Sequence, residues 1–131
     1  PIGCQRHTRV PGRAGGEERG EGPEYETMVL MGPLCGIYDM AAITRANYRA
    51  NELGLDTMSF GGTVACAMEL RERGAIGDAD AAGLDLSFGD GAALEALVPM
   101  TARRQGLGAA LAEGASRLAA GFNCRPCWRS Q

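Results

Sequence analysis

Apolar positions along this chain recur mainly at helical spacing. Over Met40 to Leu53, Ala42, Ala46, Arg49 and Leu53 recur against a polar face; Asp39 stands where an N-cap belongs and Gly54 where a left-handed C-cap belongs. A second helix is predicted from Asp56 or Thr57 to Arg73, closed by Gly74, with Phe60, Val64, Ala67 and Met68 on one face. Its early Gly61-Gly62 pair costs about 1 kcal/mol per glycine relative to alanine, which is tolerable where something approaches the backbone closely. Asp90 can cap a third helix from about Gly91 to Gln105, with a kink expected at Pro99, and a fourth runs from about Leu107 to Ala120. Residues 75–83 read as a turn, and Leu84 to Phe88 alternates apolar and polar as one short extended piece. Tyr25 to Cys35 is an apolar stretch broken by Gly32-Pro33, and residues 10–24, rich in Gly, Pro, Glu and Arg without a period, read as a flexible surface loop. The expected fold is therefore mainly α, with at most one short strand. A short Cys-containing opening (1–9) and the loop (10–24) precede the helical portion (25–121), and a tail (122–131) follows that fits no pattern.

Composition adjusts this picture. The length, 131 residues, suits one domain or a piece of a larger one. Twenty glycines, 5% aromatics and an apolar content dominated by alanine leave little area to bury, so marginal stability in isolation is expected, with faces that meet a partner domain. The basic residues are 13 arginines and no lysine, against 16 acids; a net charge of −3 gives no support for a nucleic-acid surface, which needs a dense basic stripe. No apolar run reaches the roughly 18–20 residues that span a bilayer, so no membrane partner is expected. Five cysteines at irregular spacing argue against a secreted disulfide framework and for a reducing cytoplasm. Cys66 lies in an apolar helical run and reads as a buried core thiol, Cys35 as packing, and Cys124-x-x-Cys127 as half of a zinc site without its second pair.

Two constellations are not well explained by packing alone. In Asn51-x-x-Gly54-Leu55-Asp56 a glycine cap between two helices frees backbone N–H groups at the second helix start, with Asp56, Thr57 and Ser59 around it. Such a bend can hold a planar ligand rich in hydrogen-bonding groups; it can equally be a helix–turn–helix with Asp56 as N-cap. In Glu24-Tyr25-Glu26 a carboxylate heads the apolar run Thr27 to Met31. Buried, it would suit general acid–base work; solvated, it is a loop glutamate.

Six pieces in order carry a resemblance: Pro1-Ile2-Gly3-Cys4, Gly22-Pro23-Glu24-Tyr25-Glu26-Thr27, Cys35-Gly36-Ile37, Gly54-Leu55-Asp56-Thr57, Gly83-Leu84-Asp85-Leu86-x-Phe88-Gly89-Asp90 and Leu111-Ala112-Glu113-Gly114. Together they resemble the tungsten-containing aldehyde ferredoxin oxidoreductase family from residue 1 to about 121, with 8–22 divergent. Members of that family are much longer, so the resemblance implies an internal portion, mostly the first helical domain, cut from a larger chain. It implies oxidation of an aldehyde with water to a carboxylic acid at a tungsten (or molybdenum) bis-pterin centre, with electrons passing through a 4Fe-4S cluster to ferredoxin. Cys4 matches the third cysteine of the family's C-x-x-C-P-I-G-C cluster motif, which makes 1–9 a partial cluster loop; one thiolate cannot hold a cluster that takes four, so this chain alone is not expected to assemble it. Glu26 matches the glutamate of the family's Y-E-T stretch near the metal, a candidate catalytic proton acceptor. Asn51, Gly54, Leu55 and Asp56 match one of two pterin-binding D-x-x-G-L-(D/C) motifs; Asn at the first position keeps a carbonyl acceptor and loses the charge, leaving Asp56 as the main acceptor. Some members bind a metal between subunits through a glutamate in this helix; Arg45 occupies the aligned position, so that site is not expected here. Against this enzyme reading stand a non-catalytic truncated remnant and a small helical interaction module without cofactor.

Overall fold

The computed structural model describes residues 5–122; the expectations that fall on Cys4, Cys124 and Cys127 lie outside them. The chain opens on an antiparallel hairpin, β1 (His7–Pro11) and β2 (Glu17–Glu21). It continues through α1 (Tyr25–Met31), a 3-10 turn (Pro33–Cys35), α2 (Met40–Glu52), α3 (Thr57–Glu72), α4 (Asp78–Ala81), α5 (Gly91–Ala102), α6 (Leu107–Leu111) and α7 (Ala115–Gly121). The fold is mainly α, as expected.

The helix starts follow their caps. Asp39 accepts from the amides of Ala41 (3.0 Å) and Ala42 (3.2 Å), Asp56 from Ser59 (2.8 Å) and Asp90 from Ala93 (3.0 Å). α3 lies at the centre, with α1 against its N-terminal half and α7 against its other side, while α2 packs on α5 and α5 on α6. Between them Met31, Ile37, Ile43, Val64, Met68, Leu94, Leu97 and Val98 are fully buried in one core. The glycine pair in α3 divides its labour. A Cβ at Gly61 would lie 2.7 Å from the Leu30 carbonyl carbon and 2.9 Å from the Met31 amide nitrogen, so α1 seats directly on the α3 backbone; a Cβ at Gly62 would meet nothing within 4 Å.

Five local expectations differ from the structure. Residues 10–24 do not form an irregular loop: 7–11 and 17–21 pair, His7 opposite Glu21 through Pro11 opposite Glu17. The turn uses Gly15 and Gly16 at φ +91° and +74°, closed by the Gly12 amide on the Gly16 carbonyl (3.1 Å). What holds the ribbon is remote in sequence. The Tyr48 hydroxyl donates to the Thr8 carbonyl (2.8 Å) and its ring covers Gly20, where a Cβ would be 2.9 Å away; Asn47 donates to the Glu21 carbonyl (3.0 Å) and Arg45 to that of Pro11 (2.6 Å). Leu84 to Phe88, expected to be extended, forms no strand: Leu86 turns to φ +55° and drops fully buried into the core, and the Gly89 amide ties the segment to the Cys35 carbonyl (2.8 Å). The expected fourth helix is two, α6 and α7, broken at Gly114 (φ +87°), and part of the 75–83 turn is the single-turn α4. Cys66, expected to be buried, is half-buried at the edge of the core, its thiol 3.7 Å from the Ala115 carbonyl oxygen at the start of α7.

Glu95 on α5 links the hairpin to the helices. It pairs with Arg45 (3.1 Å) and with Arg13 in the hairpin turn (2.8 Å), and its side chain is 16% exposed. Burial alone would push this carboxyl up, but the hydrogen bonds and charges of Arg45 and Arg13 outweigh it and hold it below the ordinary carboxylate value. A carboxyl depressed on folding stabilises the fold above its unfolded pKa of about 4.3 and loses that contribution as pH falls through the folded value. Acid titration of wild type against Glu95→Gln should therefore show convergence of the two stabilities below about pH 4, with wild type ahead by about 1 kcal/mol at pH 7. In denaturant melts Gly61→Ala should destabilise the chain by about 1–3 kcal/mol through overpacking on α1, while Gly62→Ala should stabilise it by up to about 1 kcal/mol.

Candidate functional site

The Asn51–Asp56 segment forms a reversal whose hydrogen bonds are complete in themselves. Gly54 adopts φ +72°; its amide donates to the Asn51 carbonyl (3.3 Å) and the Leu55 amide to the Ala50 carbonyl (2.9 Å), the two-bond pattern of a glycine-terminated helix. One residue later Asp56 caps α3 through Oδ1. Both bland roles expected of this segment, C-cap and N-cap, are thus filled. Asn51, Gly54 and Asp56 are nonetheless exposed, and the Asp56 side chain accepts no hydrogen bond beyond the one at Oδ1 among the described residues.

Glu26 lies in the first turn of α1 and is also exposed, and its side chain has no hydrogen bond or ion pair among the described residues. The burial that general acid–base work would use is not supplied by residues 5–122. The neighbouring Thr27 is buried, and its Oγ1 lies 2.7 Å from Oγ1 of Thr57. This hydroxyl pair joins the starts of α1 and α3, so Glu26 and Asp56, 30 positions apart in sequence, each adjoin a member of the same contact.

Beside the start of α3 lies a cavity of about 330 Å³, whose wall includes Leu55, Asp56, Ser59, Phe60, Thr101 and Arg104. Of the residues singled out in the sequence, Leu55 and Asp56 line it, whereas Asn51, Gly54 and Glu26 do not. Thr101, near the C-terminus of α5, is 6% exposed, and its Oγ1 is shielded from the cavity, without a hydrogen-bond partner among the described residues. Arg104 is paired with Glu113 (2.6 Å).

Cys35 is fully buried and donates to the carbonyls of Leu30 (3.3 Å) and Gly61 (3.5 Å). Burial pushes its thiol up to about 12, as a packing thiol should behave and a metal ligand should not. No group of three or more His, Cys, Asp or Glu side chains able to hold a metal ion occurs among the described residues. Nor is any described helix long and apolar enough to cross a membrane.

The described residues thus combine a glycine-capped reversal, an acid at each of two joined helix starts and an adjoining cavity. The family model for aldehyde ferredoxin oxidoreductase, domains 2 and 3, matches residues 1–128. The tungsten-containing aldehyde ferredoxin oxidoreductase of Pyrococcus horikoshii is 46% identical over 126 residues, 94% of this chain and 20% of the relative; that of Pyrococcus furiosus is 45% identical over 123 residues, 93% and 20%. An aliphatic sulfonate oxidoreductase, WOR-like subunit, of Pyrococcus furiosus is 35% identical over 99 residues, 76% of this chain and 16% of the relative. This chain belongs to the aldehyde ferredoxin oxidoreductase family, and it spans about a fifth of the length of the curated relatives it matches. In the native chain at pH 8, Cys35 should resist alkylation by iodoacetamide for hours and react promptly in denaturant; mass spectrometry of the Cys35 peptide checks this.

Proposed function

We infer that this chain is one wall of the cofactor cavity of an oxidoreductase that converts aldehydes to carboxylic acids and passes the electrons to ferredoxin. The observation that carries the reading is the Thr27–Thr57 contact, which joins the helix start bearing Glu26 to the helix start bearing Asp56. The cofactor is a tungsten or molybdenum bis-pterin. The residues present fit its heterocyclic edge: Asp56 offers a carboxylate oxygen with no hydrogen-bond partner among the described residues, and Leu55 and Phe60 offer apolar surface. Leu55 and Asp56 contact the ring system, and Asn51 and Gly54 set the reversal that presents them. Cys4, outside the described residues, gives one thiolate to a 4Fe-4S cluster whose other ligands come from outside this chain.

The balanced reaction is aldehyde plus water to carboxylic acid, two protons and two electrons. The bound metal–pterin centre supplies the two-electron acceptor. Glu26 orients water or aldehyde and takes one of the protons released as the carbonyl carbon is oxidised. The rest of a longer chain covers Glu26 and excludes bulk water. That cover would also bury Tyr25, Tyr38, Met40, Met58 and Phe88, large apolar side chains that are all exposed here, Tyr38 by 78%.

The relative named for an aliphatic sulfonate supports a second reading, in which the same wall serves a different oxidisable substrate. In a holoenzyme carrying this segment, Glu26→Gln should lower turnover by about 10²–10⁴-fold while tungsten and pterin per chain stay unchanged. Steady-state rates with an aldehyde and with an aliphatic sulfonate, beside metal analysis, test it. Unaltered turnover on both substrates removes Glu26 from the mechanism, and activity confined to the sulfonate selects the second reading.

A further inference from the structure

α1 is only seven residues long, and its N-cap Glu24 makes no side-chain capping bond. Within the segment, backbone hydrogen bonds alone hold the turn that carries Glu26, and so short a helix is marginal without outside support. α3 starts on firmer ground: it runs for sixteen residues and Asp56 caps it through Oδ1. Two contacts seat the short helix on the long one. At one, a Cβ on Gly61 would lie 2.9 Å from the Met31 amide nitrogen; at the other, Thr27 Oγ1 lies 2.7 Å from Thr57 Oγ1. Both pairs are 30 positions apart in sequence, so α1 and α3 run side by side in the same direction, with about one turn of each between the contacts. The backbone contact alone leaves α1 free to tilt about one point. The hydroxyl pair removes that freedom at the end where Glu26 sits. A separation of 2.7 Å is a hydrogen-bond distance between oxygens. Carbon atoms in contact lie about 3.5–4.0 Å apart, so a methyl in place of either hydroxyl parts the two helix starts by about 1 Å. Misplacing a reacting group by that much costs up to about 10²-fold in rate.

We propose that Thr27 and Thr57 are positioning residues for Glu26, their hydroxyl pair fixing where the Glu26 carboxylate stands when it takes its proton. Thr27 is buried, so its side chain acts through Glu26 and not on the substrate. The inference rests on the reading of Glu26 as proton acceptor and extends that reading to two residues whose contribution passes through Glu26 alone.

The test uses a full-length holoenzyme carrying this segment. Aldehyde turnover, KM, and tungsten and pterin per chain are measured for Thr27→Val, Thr27→Ser, Thr57→Val, the two Val substitutions together, Glu26→Gln, and Thr27→Val in the Glu26→Gln background. Each single Val substitution should lower kcat by about 10–100-fold with KM and cofactor content unchanged, and Thr27→Ser, which keeps the hydroxyl, should stay within about twofold of wild type. In the Glu26→Gln background Thr27→Val should cost nothing further, because the group it positions is already gone. Thermal melting separates position from stability. Thr57→Val leaves the buried Thr27 hydroxyl unpaired, whereas the double Val variant leaves none, so the double variant should melt higher than Thr57→Val while its turnover stays low. Turnover that recovers together with melting temperature shows a purely structural role and overturns the proposal. Unchanged turnover in Thr27→Val, an equal loss in both backgrounds, or loss of tungsten or pterin from the Val variants also overturns it, and each leaves the reading of Glu26 intact. Unaltered turnover in Glu26→Gln overturns that reading, and this proposal with it.

Discussion

A single missing methyl group fixes the distance between α1 and α3. At Gly61 the backbone of one helix lies against the backbone of the other, with the Leu30 carbonyl where a Cβ would be. Any side chain there would have to push α1 outward. Two further contacts then become possible: the Thr27 and Thr57 hydroxyls come within 2.7 Å, and the Cys35 thiol reaches the Gly61 carbonyl. The 3-10 turn, anchored through Cys35, in turn receives the Gly89 amide and so positions the segment leading to α5. The relation between the two acids of the candidate site and the cavity bounded by α5 is thus traceable to close backbone packing at one residue, more than to any interaction of the acids themselves.

The hairpin shows the opposite dependence. Its own residues bury little, and an isolated two-stranded ribbon is marginal in water. It is ordered by α2, which sends Arg45, Asn47 and Tyr48 to its backbone, and by Glu95 of α5, which grips Arg13 at its tip. Arg45 belongs to both sets of contacts. It is a cation engaged at once with a carboxylate and a carbonyl oxygen.

This difference in dependence explains what could be read from the amino-acid order. The long helices and their caps were legible because their determinants are local: Asp39, Asp56 and Asp90 act on amides two or three residues ahead, and Gly54 on the turn before it. The reversal at Asn51–Asp56 was legible for the same reason, down to its two competing roles. The hairpin was not, because the groups that order it lie more than 20 residues away, and glycine-rich polar sequence without them does read as loop. Leu84 to Phe88 misled because alternation implies a strand only where a partner edge exists; here Leu86 instead finds its burial by a left-handed turn. Glu26 was legible as a chemical candidate with two readings, buried base or solvated glutamate, and the order of residues could not choose between them because burial depends on the surfaces packed around it.

The self-contained bonding of the α2–α3 reversal has a consequence for recognition. Because Gly54, Leu55 and Asp56 already have their backbone and capping partners inside the chain, this corner has the same shape before and after anything docks on it. No loop has to freeze, so association there is a rigid-body event whose entropy loss is confined to the incoming molecule. Differences in affinity among molecules that fit such a corner then reside in how fast they leave, since the rate of arrival at a preformed surface changes little from one to the next.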